Sequence, residues 1–115
     1  MDLTPRQLAI LERLAVQGFS VVAFPMYASA VGIRRGEFAA FLVPAPSGTL
    51  MLQGDPCVLL NDNPAVAILR DGKKFYVWKK QSLEATPERE GALKEFKDDL
   101  VRILESEASS PRGAV

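Results

Sequence analysis

Apolar residues recur with two different periods along this chain, and the changes of period divide it into helical and extended stretches. Leu8, Leu11, Leu14 and Ala15 fall at helical spacing. They follow Leu3-Thr4-Pro5-Arg6-Gln7, in which Thr4 is placed to cap a helix, Pro5 suits its first turn and Gln7 can reach back to complete a capping box. Leu3 and Leu8 are placed to form a hydrophobic staple across that cap. Gly18 stands where a left-handed residue ends a helix, with Phe19 folding back on Leu14.

Beyond this helix the period shortens. Ser20 to Phe24 is β-branched and apolar on both sides, which predicts a strand deep in a sheet, ended by Pro25. Residues 26–33 fit two readings equally: one turn of helix closed by Gly32, or a strand pairing across a turn at Arg34-Arg35-Gly36. Glu37 to Val43 is apolar on both sides again and predicts a covered central strand. Pro44 to Gly48 is a turn cluster. Thr49 to Gln53 and Cys57 to Leu60 are short strand candidates, with loops at Gly54-Asp55-Pro56 and Asn61-Asp62-Asn63-Pro64.

The strongest local signal is Asp71-Gly72 between Ala65–Arg70 and Lys73–Lys80, since both residues tolerate the left-handed backbone of a two-residue hairpin turn. That turn sets a register. Ile68 faces Phe75 and Val66 faces Val77 on one side, while Leu69 meets Lys74, Ala67 meets Tyr76 and Ala65 meets Trp78 on the other. The more apolar first side is expected to face the core. Ala85-Thr86-Pro87-Glu88 repeats the cap chemistry, and Leu93, Phe96, Leu100, Ile103 and Leu104 form the stripe of a second, longer helix whose wet face carries Lys94, Lys97 and Asp98. From Ser106 the periodicity ends.

These elements predict one α+β domain over residues 1–105: an antiparallel β-meander of about five to six strands flanked by an N-terminal and a C-terminal helix, then a disordered tail over 106–115. With 115 residues the chain is long enough for one core, which buries about two thirds of the unfolded surface. Fourteen basic residues balance fourteen acidic ones, so no overall field steers the molecule toward nucleic acid or an anionic membrane. One cysteine and no histidine exclude an internal disulfide and the usual zinc sites, and fit a reducing compartment. With neither a signal-peptide pattern nor a long apolar run, the expected address is the cytoplasm, with no membrane partner.

Candidate chemistry is sparse. Without histidine, most acid/base and nucleophilic routes close, and Cys57 in an apolar run reads as a small hydrophobe. Asp55, Asp62 and Asp71 lie in turns, where aspartate bonds its own backbone, so no metal or cofactor is expected. Arg34 and Arg35, with Tyr27, are the candidates for an anion-binding or small-molecule site on the 26–36 loop. Lys74, Tyr76, Trp78 and Lys80 share one strand face and are candidates for an interface or a base-stacking platform, although the neutral chain argues against nucleic acid. The leading expectation is a non-catalytic binding or protein-interaction module, a homodimer joined through the Tyr76 and Trp78 face. The alternatives are the loop site and weak single-stranded nucleic-acid binding.

Overall fold

The computed structural model describes residues 3–24 and 29–108 of the chain. Helix α1 (Pro5–Val16) opens with the expected cap: Thr4 Oγ1 accepts from the Gln7 amide at 3.1 Å, and the Thr4 amide donates to Gln7 Oε1 at 3.0 Å. Gln7 is itself buried and its Nε2 donates to the Thr49 carbonyl at 3.2 Å, so the cap also ties the helix to the sheet. At the other end Gly18 takes a φ of 91°, and the Gly18 and Phe19 amides donate back to the carbonyls of Ala15 and Leu14.

Antiparallel strands follow in two sheets. The first holds β1 (Ser20–Val22), β2 (Val31–Arg35), β3 (Phe38–Pro44), β4 (Leu50–Leu52), β5 (Cys57–Leu60) and β6 (Asn63–Pro64), in the order β1-β2-β3-β5-β6. β4 lies beside the end of β3, pairing Leu42 with Leu52, while β5 takes the start of β3, pairing Phe38 with Val58. The second sheet is β7 (Val66–Arg70), β8 (Lys73–Trp78) and β9 (Gln81–Glu84) in chain order. The Ala65 amide donates to the Val58 carbonyl at 2.9 Å and joins the two sheets. Helix α2 (Pro87–Ala108) comes last, and the fold is α+β with its two helices flanking antiparallel sheets.

Several local details differ from the sequence expectation. β1 is an edge strand with Val21 57% exposed, not a deep one, because β2 alone pairs with it among the described residues. Arg34 and Arg35 lie inside β2, which settles 31–33 as strand, and the turn falls at Gly36-Glu37 with Gly36 at a φ of 64°. Residues 26–28 lie outside the described residues. Lys79 turns the chain at a φ of 53°, so the run expected to end at Lys80 stops at Trp78 and returns as β9. α2 passes Ser106 and reaches Ala108, because Glu107 is buried and pairs with Arg13 Nε at 2.7 Å. The rest of the expected tail is outside the described residues.

α2 unites the core. Its Phe96, Leu100 and Leu104 are buried with Ile10 and Leu14 of α1 and with Ile33, Ala40, Leu42 and Leu50 of the first sheet. The Phe96 ring lies 5.5 Å from Phe19 and 5.9 Å from Phe38. One turn earlier on the same helix, Leu93 packs on a second cluster formed by Val58, Ala65 and Tyr76, which Phe38 also touches.

On the opposite face of the first sheet one close approach covers Gly32. Gly32, paired with Val22 and Phe41, has the Phe24 ring folded over it, and that ring meets Phe41 edge-on at 5.4 Å. A Cβ on Gly32 would stand 2.4 Å from the Val22 carbonyl oxygen and 2.6 Å from Phe24 Cδ2, and the first of these is backbone. Gly32→Ala should therefore lower stability by about 2 kcal/mol or more, read as a fall in the urea midpoint. A midpoint equal to that of the wild type would show that β1 gives way without cost.

Candidate binding surfaces

The β7-β8 hairpin forms in the predicted register, with Ile68 opposite Phe75, Val66 opposite Val77 and Ala67 opposite Tyr76. Asp71 and Gly72 take φ values of 53° and 77°, as a primed turn requires. Which side faces inward is the reverse of the expectation. Tyr76 is 3% exposed in the second core cluster, whereas Val66 is 63% exposed. The cause is the route of the chain after β9. The Ala85 amide donates to the Lys74 carbonyl at 2.9 Å, and Thr86 Oγ1 accepts from the Arg89 amide, so α2 starts directly over the Tyr76 side. Leu83, Ala85 and Leu93 then pack against the cluster that Tyr76 forms with Val58 and Ala65.

This arrangement divides the expected aromatic row. Lys74, Tyr76 and Trp78 do share a face, but Tyr76 is under the helix, Trp78 is half-buried with Lys79 Nζ 5.5 Å from its ring, and Lys80 lies exposed in the turn beyond the strand. No flat stacking platform remains. The uncovered side carries Val66, Ile68, Phe75 and Val77, none of which joins either core cluster. Arg70, whose guanidinium lies 5.6 Å from the Phe75 ring centroid, and the pair Lys73 and Glu84 at 3.9 Å border this patch.

Arg34 and Arg35 do not converge on a site. Arg34 pairs with Asp62 at 2.7 Å and donates through Nε to the Gly36 carbonyl, while Arg35 donates to Asp99 Oδ2 at 2.8 Å. The Arg35 guanidinium also lies over Phe19, 4.5 Å from its centroid, and holds the Asp99 carboxyl below its usual range. Both cations are already committed to partners within the chain. Tyr27, the third member of the expected anion site, lies outside the described residues.

A groove that sequence reasoning missed runs between α2, the β7-β8 hairpin and the loop before β5, with a volume of about 710 Å³. Val58, Ala65, Ala67, Tyr76 and Leu93 line it. On the rim, Lys74 Nζ lies 3.6 Å from Glu90 Oε1 and Lys97 Nζ lies 3.0 Å from Asp55 Oδ1. The Tyr76 hydroxyl is buried and has no hydrogen-bond partner among the described residues. Burial first, and the Glu90 carboxylate second, raise its pKa above the ordinary phenol value, with Arg89 opposing. The only sequence signal for this groove was the smallness of Ala65 and Ala67 beside Tyr76.

Among the described residues no group of three or more His, Cys, Asp or Glu is placed to hold a metal, and no helix is long and apolar enough to cross a membrane. Comparison with known proteins returns no matching family model, curated sequence or solved structure. Cys57, on the lip of the groove, has its thiol pushed up to about 11 by burial. Raising the pKa of an acid favours its neutral form, so near pH 8 the thiolate is about a hundredfold scarcer than in a cysteine titrating near 9. Its alkylation rate by iodoacetamide should keep rising to about pH 11; a plateau near pH 9 would show an ordinary, exposed thiol.

Proposed function

We propose that this protein is a small non-catalytic interaction module that self-associates through the outer face of the β7-β8-β9 sheet. The observation that carries this reading is the apolar patch of Val66, Ile68, Phe75 and Val77, which lies on the side of the sheet away from α2. Contiguous apolar surface of this kind in a soluble chain is usually covered by a partner, most often a second copy about a twofold axis. The border of the patch carries charge of both signs, with Arg70 beside the Phe75 ring and Lys73 next to Glu84 of β9, which a twofold contact between copies can use. The non-catalytic part of the reading rests on a chain without histidine whose one thiol is held protonated.

Sedimentation across protein concentration tests the proposal. The wild type should show a reversible monomer-dimer equilibrium, and Val66→Glu, at a position already 63% exposed, should weaken it at least tenfold without loss of folding. Trp78→Ala, on the other face, should leave association unchanged. A wild type that stays monomeric at several hundred micromolar, or a Trp78→Ala chain that alone loses association, would overturn this choice of surface.

A further inference from the structure

We propose that the groove between α2 and the β7-β8 hairpin is a binding site for a small amphipathic carboxylate, with Tyr76 and Lys74 as the groups that hold its acidic end. The inference stands apart from self-association, which uses the opposite face of the same sheet.

The first ground is the Tyr76 hydroxyl. Buried tyrosines ordinarily hydrogen-bond through their oxygen, and one left unpaired destabilises the fold relative to phenylalanine. Here the side chain lines the groove, is 3% exposed, and its oxygen meets no partner among the described residues. Held above its ordinary pKa, the phenol keeps its proton and offers a donor, so its complement is an acceptor.

The second ground is the cation beside it. Lys74, two residues earlier on the same face of β8, has its Nζ 5.9 Å from the Tyr76 ring centroid. Its partner Glu90 stands at 3.6 Å, a loose ion pair with both side chains partly exposed, and such a pair exchanges readily for another carboxylate. A ligand carboxylate has two oxygens, one for the Tyr76 hydroxyl and one for the Lys74 ammonium, if it takes the place Glu90 now holds. The third ground is the rest of the wall. Val58, Ala65 and Leu93 offer an apolar surface for a hydrocarbon or aryl body, and about 710 Å³ lies within the usual range for small-molecule sites.

The probe is octanoate, with 1-octanol and octylamine as matched compounds lacking the negative charge, titrated into the isotope-labelled full chain and followed by amide NMR. Octanoate should shift the Ala65, Ala67 and Tyr76 amides saturably and bind at least tenfold tighter than either analogue. Tyr76→Phe should weaken octanoate about tenfold while raising the melting midpoint of the free protein, a combination that a purely structural tyrosine would not produce. Lys74→Met should weaken binding by a similar factor, and Glu90→Gln should tighten it threefold or more by freeing Lys74. Lys80→Met, in the turn outside the groove, should change nothing. The proposal is overturned if octanol binds as tightly as octanoate, if Tyr76→Phe binds like the wild type, or if millimolar octanoate leaves the groove amides unmoved.

Discussion

The whole molecule depends on one helix face serving two sheets. α2 is 22 residues long, about 33 Å. Its later turns bury Phe96, Leu100 and Leu104 against α1 and the first sheet, and its earlier turns bring Leu93 onto Tyr76 and Val58. α1 shares the cover of the first sheet, whereas among the described residues the Tyr76 cluster is met by α2, so the small sheet holds its place through this helix and through the Ala65 to Val58 bond beside it. Phe38 completes the link by touching both clusters.

Arg35 shows how the same helix is held in register against the first sheet. Its guanidinium lies over Phe19 and within 5.8 Å of the Phe96 centroid while donating to Asp99, so one side chain spans the end of α1, the sheet and α2. A cation on an aromatic face with a carboxylate at its edge satisfies both its charge and its planar shape. For that reason it is part of the framework, although two adjacent arginines beside glycine look in sequence like an exposed anion clamp.

What was legible in the sequence was chemistry that acts over a few residues. The Thr4 cap, the Gly18 stop, the Asp71-Gly72 register and the α2 stripe each rest on neighbours along the chain, and each is found where it is expected. What was illegible depended on chain direction after a turn. Hairpin alternation separates two faces but does not say which one a later helix will cover, and here the turn at Ala85 and Thr86 chose the Tyr76 side over the more apolar one. The reversal at Lys79 had no signal either, since lysine is not a residue that favours a left-handed backbone. The groove was hidden for the same reason as the face: its walls come from α2, β5 and β8, which lie far apart in sequence.

Four of the strand pairs are closed by two-residue turns, at Gly36-Glu37, Asn61-Asp62, Asp71-Gly72 and Lys79-Lys80. Such closures join residues only a few positions apart, so most strand pairing has low contact order and little loop entropy to overcome. Long-range closure then falls on the β3-β5 pairing and on the meeting of α1 with α2, where Arg13 pairs with Glu107. The small sheet is thus built from neighbours in the chain, while the buried face of the first sheet is completed by helices that lie far apart along it.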